Sequence, residues 1–366
     1  MKLPLSHAEF LETYWQQRPL LLPQAVPNFT SPLSPEELAG LALEPAVSSR
    51  LIHCDHGVWQ KTDGPFSAKD FQSGGTWTLL VENVDQWHEG VRALYPHLSL
   101  LPTWRFDDVM VSYAVDGAGV GPHFDRYDVF LLQGLGEREW RIGPICDGNT
   151  PQMNTEGLSL IAEFEPTETY ILKTGDVLYV PPGLAHWGVA RGACMTYSFG
   201  FRAPAISDLI ARRADSILDR LAQTTLLEDG HSVSVPCRPG EITEAHLANA
   251  RDAIANASEA LDNLRWFGEV VTEQKIDMED TLTPSALAHP DQAARLVSIN
   301  CVAWSEYGEY IDVFIAGEAF RIPKTALEAL VALCSGGELL VADLSANYPE
   351  LLDALLLQGA LEPCPA

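Results

Sequence analysis

His123 and Asp125 stand two residues apart, and a third potential ligand, His186, lies far downstream behind Pro181-Pro182-Gly183. No other feature of the 366-residue chain constrains its fold as strongly. On an extended segment, residues two apart project to the same face, so His123 and Asp125 can both reach one ion. A ligand as distant as His186 has to be returned by a sheet that folds over on itself. Two histidines and one carboxylate form the facial set that holds Fe(II) and leaves positions open for O2 and a co-substrate.

The surrounding sequence supplies such a sheet. From Phe106 to Phe201 short apolar runs alternate with Gly, Pro and Asp turns, predicting strands at 108–114, 127–133, 137–143, 169–172, 177–180, 186–190 and 194–201. A small antiparallel barrel of this kind, a double-stranded β-helix or jelly roll, lines one pocket with side chains from several strands. Gly134-Leu135-Gly136 is expected to be the turn of a hairpin whose second strand carries Arg138. A guanidinium is permanently charged and grips a carboxylate through two parallel hydrogen bonds. Arg138 is therefore the candidate anchor for a dicarboxylic co-substrate, and 2-oxoglutarate fits. Arg141, on the opposite face of that strand, is its competitor.

Outside this region the reading is coarser. Ser6 to Glu9 and Ser34 to Glu37 have capping-box spacing, predicting a helix that buries Phe10, Leu11, Tyr14 and Trp15 and another over 35–42. Short strands are expected near 50–53, 57–61 and 76–81, then a helix near 83–95 packing Trp87, Val91 and Leu94. Residues 203–222 have helical spacing. A longer helix, about 243–276, sets Leu247, Ala250, Ile254, Ala257, Leu261 and Leu264 at alternating steps of three and four, the seam of helices packed within one chain or between two. After a Pro- and Asp-containing link at 277–291, strands near 299–305, 310–315 and 318–322 and helices near 325–334 and 347–358 resemble a winged-helix domain.

Charge narrows the partners. Fifty acidic side chains against twenty-three basic give a net charge of −27, which argues against a nucleic-acid surface because phosphates are neutralised by Lys and Arg. With Glu338, Asp343, Glu350 and Asp353 and almost no basic side chain nearby, no DNA contact is expected of the winged-helix-like region either. A basic protein is the better electrostatic match, with solubility alone as the competing explanation. Seven scattered cysteines without a Cys-x-x-Cys pair read as reduced thiols. Without a signal peptide or an apolar run near the ~18 residues that span a bilayer, the expectation is a cytoplasmic, soluble protein with no membrane partner. His53-Cys54-Asp55-His56 reads as a polar turn rather than a metal cluster, and His88 and His97 as surface or interface residues.

Four segments then occur in order: H-F-D at 123–125, Q-G-L-G-E-R-E-W-R-I-G at 133–143, P-P-G-L-A-H at 181–186 and S-F-G-F-R-A-P at 198–204. With these segments the chain resembles the JmjC-type cupin oxygenases, and among them the bacterial ribosomal oxygenases. The likeness extends to T-Y-W-Q-Q-R-P-L-L-L at 13–22 and G-P-F at 64–66. It implies an α+β chain with a cupin oxygenase domain over 1–203, a helical dimerisation region over 204–276 and a winged-helix-like domain over 277–366, and hence a homodimer. It also implies Fe(II) on His123, Asp125 and His186, with 2-oxoglutarate held by Arg138 rather than Arg141 and helped by Ser112. O2 completes the set, and the expected reaction hydroxylates C3 of an arginine in large-subunit ribosomal protein sixteen, giving succinate and CO2. Asp116, Tyr127 and Asp128 are candidates to receive a cationic substrate side chain, with plain loop polarity as the alternative. The competing functions are another JmjC-type hydroxylase acting on His or Asn, a demethylase, and a non-catalytic cupin scaffold. The scaffold would lack a metal ligand or Arg138, and neither is missing.

Overall fold

The structure, a computed structural model, describes residues 5–72, 74–95, 101–222, 225–228, 240–260, 265–273 and 291–364. Capping fixes the first helices. α1 (His7–Thr13) begins where Ser6 Oγ accepts from the Glu9 amide at 3.1 Å. α2 (Pro35–Leu41) has the full reciprocal box, with the Glu37 amide donating to Ser34 Oγ at 3.2 Å and the Ser34 amide to the Glu37 carboxylate at 2.8 Å. Phe10 is fully buried, and Trp15 stacks on Tyr179 at 5.7 Å. Leu11, expected inside, is 40 % exposed, because it sits one position round the helix from the single buried stripe at Phe10.

Nine strands form one antiparallel sheet: β1 (Leu20–Leu22), β2 (Ser49–Asp55), β3 (Val58–Asp63), β4 (Thr76–Val81), β5 (Phe106–Ala114), β6 (Asp128–Ile145), β7 (Glu168–Lys173), β8 (Val177–Val180) and β9 (Leu184–Phe201). The order is β1-β8-β6-β9-β5-β4-β2-β3, with β7 also on β6. Its spine is β6 and β9, 18 residues each, paired from Asp128 opposite Phe201 to Ile145 opposite Leu184. The first half of β6 also pairs with β8 and its second half with β7, so the long strand joins the two halves of the jelly roll.

The expected hairpin at Gly134-Leu135-Gly136 does not form. The chain runs on through a bulge, with register shifts on both sides of Leu135. A Cβ on Gly134 would stand 2.4 Å from the Tyr197 ring, and one on Gly136, at φ +67°, 2.3 Å from the Ala193 carbonyl. The two glycines let β6 press against β9 where any side chain would push it away. The runs at 186–190 and 194–201 are likewise halves of one strand, bent at Gly192 with φ +71°. One extra residue in a strand exchanges its faces. Before the bulge Val129 and Leu131 line the central cavity; after it Arg138 and Trp140 do.

The helix expected over 83–95 is two short ones, α3 (Val84–Trp87) and α4 (Glu89–Arg92), separated at His88 by extended backbone. Val91 and Leu94 are buried, whereas Trp87 is 46 % exposed. Beyond the sheet come α5 (Ile206–Leu218), α6 (Glu244–Ala260) and α7 (Arg265–Thr272). No residue of α5 or α6 is buried, and Ile206, Ile210, Leu247 and Ile254 stand in the open. Leu261 and Leu264 of the expected seam, along with His97 and Cys237, lie outside the described residues. α7 rests on the C-terminal region, its Gly268 closer to the Phe314 ring than a Cβ would permit.

That region contains β10 (Ala293–Leu296), β11 (Val302–Tyr307), β12 (Tyr310–Ile315), β13 (Glu318–Pro323), β14 (Leu339–Leu340) and β15 (Leu361–Pro363), with helices α8 (Leu327–Cys334), α9 (Val341–Asn347) and α10 (Pro349–Leu357). It has its own core around Val302, Ile311, Leu330 and Leu351, separate from the cluster around Phe10, Phe130 and Tyr197. Arg92 and Arg295 both bind Glu362, and Asn300 donates to the Phe106 and Asp107 carbonyls at 3.2 Å each, which docks the two parts. Among the described residues no helix is long and apolar enough to cross a membrane.

Candidate active site

The fold brings His123, Asp125 and His186 together, with their ligand atoms all within 4.8 Å of one another. A backbone bridge fixes the two histidines: the His123 amide donates to the His186 carbonyl at 3.1 Å, and the His186 amide to the His123 carbonyl at 2.8 Å. Gly183, at φ +77° in the turn before β9, donates to the Asp125 carbonyl at 2.7 Å and ties the third residue to the same turn. Each ring nitrogen Nδ1 lies 2.9 Å from a carbonyl, that of Gly121 for His123 and of Leu184 for His186. A carbonyl can only accept, so both rings carry their proton on Nδ1 and present the Nε2 lone pair. His186 Nε2 stands 3.5 Å from Asp125 Oδ2. Burial first, and the neighbouring His123 second, push the His186 pKa down to about 4 against the pull of Asp125. At neutral pH it is the neutral imidazole that a metal requires.

A cavity of about 320 Å³ opens beside these residues, and Arg138 and Trp140 line it together with them. Arg138 is 3 % exposed, and its Nη1 donates to Ser112 Oγ and Thr196 Oγ1 at 3.1 Å each. Among the described residues no carboxylate pairs with it, and its Nε has no partner. Burial lowers its pKa, yet a guanidinium keeps its proton inside proteins. An unpaired buried ion costs several kcal/mol, on the order of 3–5 where one partner of a buried pair is missing, so this site calls for an anion. The Trp140 ring lies between the two ends, 5.8 Å from the His186 ring and 5.4 Å from the Arg138 guanidinium. Arg141 is engaged elsewhere, bound to Glu139 at 2.8 Å and set over Trp187. The cavity thus offers three metal ligands at one end, a cation at the other and an aromatic wall between, which suits a metal-chelating dicarboxylate.

A family model described as the JmjC domain matches residues 93–209. The chain is 36% identical over 343 residues to the Escherichia coli ribosomal protein uL16 3-hydroxylase, an alignment covering 90% of each chain. It belongs to the JmjC-domain ribosomal oxygenases. Among solved structures it is similar to Escherichia coli YcfD, described as a ribosomal oxygenase, with a TM-score of 0.80 and 33% identity over 100% of this chain and 99% of the other. A structure of YcfD in complex with cobalt and 2-oxoglutarate matches with the same TM-score and identity over 100% and 99% of the two chains.

Within this ribosomal oxygenase, Ser112 lies in the cavity against Arg138, and Tyr127 lines the cavity with the Arg202 guanidinium 5.0 Å from its ring. Asp116 and Asp128 do not reach the cavity. Asp116 is exposed and accepts from the Gly192 amide at 2.7 Å, clamping its loop to the bend of β9. Asp128 follows Tyr127 on an extended strand and therefore points to the other side. There it is fully buried, taking hydrogen bonds from Tyr179 Oη at 2.6 Å, Gln16 Nε2 at 3.1 Å and Arg105 at 3.1 Å. Burial raises its pKa and lowers that of Arg105, so desolvation outweighs their mutual attraction.

Besides Asp125, the acid that lines the cavity among the described residues is Asp108, which the sequence reading missed. Burial, reinforced by Asp85, Asp107 and Glu82, lifts its carboxyl to about 7 despite a hydrogen bond from the Asn83 amide at 3.1 Å. The signal was present: Asp108, Met110 and Ser112 alternate along β5 and share the cavity face.

Proposed function

We propose that this chain is an Fe(II)- and 2-oxoglutarate-dependent protein hydroxylase acting on large-subunit ribosomal protein uL16, at C3 of an arginine. The observation that carries this reading is the buried, unpaired Arg138 in the same cavity as the His123, Asp125 and His186 cluster. His123, Asp125 and His186 are the metal ligands, and two neutral imidazoles with one carboxylate suit a ferrous ion. When bound, iron and 2-oxoglutarate supply the power to place one oxygen atom of O2 in a substrate C–H bond and the other in succinate, with release of CO2.

The residues of the chain bind and aim. Arg138, steadied by Ser112 and Thr196, holds the far carboxylate of 2-oxoglutarate. Trp140 closes the wall of the pocket and keeps water from the reacting centre. At the mouth the Asp108 carboxylate and the Tyr127 ring receive the guanidinium of the substrate arginine, the first by charge and the second by its face. A net charge of −27 favours a basic ribosomal protein as the partner.

The division into 1–203, 204–276 and 277–366 draws support from the two separate cores. The last part is read as winged-helix-like because α8, β14, α9, α10 and β15 follow as helix, strand, helix, helix, strand. Homodimerisation through α5 and α6 is supported by their exposed apolar side chains, and a ribosomal substrate supports a cytoplasmic location. Replacing His123 or Asp125 by Ala is expected to abolish conversion of 2-oxoglutarate to succinate, measured with excess Fe(II). Normal turnover in either variant would remove the metal assignment.

A further inference from the structure

We propose that Gln133 is a positioning residue for the co-substrate anchor, orienting the Thr196 hydroxyl so that a lone pair rather than the proton faces Arg138. The inference rests on reading Arg138 as the clamp on 2-oxoglutarate. Gln133 is fully buried at the start of the β6 bulge, opposite Thr196 in the β6–β9 register. Its Nε2 donates to the Leu135 carbonyl at 2.8 Å, bridging Gly134. Because that carbonyl can only accept, the NH2 group must face Leu135, and Oε1 must face the other way. There Thr196 Oγ1 stands 3.1 Å from it. Oε1 can only accept as well, so the single hydroxyl proton of Thr196 goes to Gln133. Its lone pairs are left for Arg138 Nη1 at 3.1 Å.

The bonds therefore run with one polarity, from Arg138 through Thr196 and Gln133 to the Leu135 carbonyl, and the side chains of Arg138, Thr196 and Gln133 are all buried. With Nη1 shared between Thr196 and Ser112, the guanidinium cannot rotate freely, and its Nε edge is left without a partner among the described residues. The same glutamine spans the bulge that brings Arg138 to the cavity face. Strand geometry and anchor orientation are thus set by one side chain. Without Gln133 the Thr196 proton is free to swing toward the cation, and Arg138 loses a fixed acceptor.

The test is calorimetric binding to the full-length, Zn(II)-loaded protein, comparing 2-oxoglutarate with 2-oxopentanoate, which has a methyl group in place of the distal carboxylate. The wild type is expected to prefer 2-oxoglutarate. Gln133→Met, of similar volume, is expected to weaken 2-oxoglutarate on the order of tenfold, the scale of a hydrogen bond to a charged group. Affinities for 2-oxopentanoate and Zn(II) stay unchanged. Thr196→Val behaves the same way, and Thr196→Ser, which keeps the hydroxyl, restores tight binding. A Gln133→Met protein with the full wild-type preference overturns the proposal, as does one that loses Zn(II) and both ligands together, which marks a residue needed only for folding. A wild type that shows no preference instead removes the Arg138 clamp itself.

Discussion

At the scale of single residues, the chemistry is set by what surrounds each ionisable group. Among the described residues Arg138 is a buried cation without a counter-ion, while Asp128 is a buried anion with three donors. The first is the proposed co-substrate site and the second a structural support; the sequence pointed to Arg138 in that role but offered Asp128 as a substrate contact. Asp108 belongs with the first kind. Its folded pKa, raised to about 7, means that the carboxyl is neutral in acid and charged only as pH climbs through 7. The sign follows: affinity for an arginine peptide rises with pH through that value, while the stability held by the protonated form is fully present below the ordinary value of 3.8 and is lost as pH climbs from there to about 7. The KM of the peptide, measured across the range, is expected to fall toward alkaline pH in the wild type. In Asp108→Asn it is expected to be higher and flat.

At the scale of elements, the strand pattern was legible and the connections were not. Alternating runs between Phe106 and Phe201 located the strands, and His-x-Asp with a distant His located the ligands, because both follow from period-two geometry. What alternation could not reveal is that two pairs of runs are single long strands, β6 and β9. A glycine pair between apolar runs serves a tight turn and a close strand contact equally well, and only the tertiary neighbours Tyr197 and Ala193 decide. Asp108, by contrast, was legible by the same period-two rule, since it alternates with Met110 and Ser112 along β5. The bulge itself is testable. Gly136→Ala and Gly192→Ala both place a side chain at positive φ, a cost of roughly 1–2 kcal/mol for an L-residue. Only Gly136→Ala also drives a Cβ against a backbone carbonyl, whereas the space at Gly192 is open. Denaturant unfolding should rank Gly136→Ala clearly below Gly192→Ala, and only the former should raise the KM for 2-oxoglutarate.

At the scale of the whole molecule, the oxygenase sheet and the C-terminal region each hold a core, and α5 and α6 hold none. Ile210, 65 % exposed, and Ile254, 69 % exposed, belong to helices with no buried side chain among the described residues. The seam spacing of α6 showed the stripe, but spacing cannot say whether the covering helix is in the same chain. Light scattering is expected to give a dimer for the wild type and a monomer for Leu247→Glu/Ile254→Glu; a wild-type monomer would contradict that arrangement. The net charge of −27 favours a basic partner, in keeping with the proposed substrate. The most direct measurement is therefore turnover of 2-oxoglutarate by the purified Fe(II)-loaded protein with a peptide carrying the uL16 arginine loop. Succinate formation stimulated by the peptide, with a gain on the arginine of roughly 16 mass units, one oxygen atom, is the predicted result. Succinate formed without any mass gain on the peptide would contradict the assigned substrate, and no succinate from protein with iron demonstrably bound would contradict the oxygenase itself.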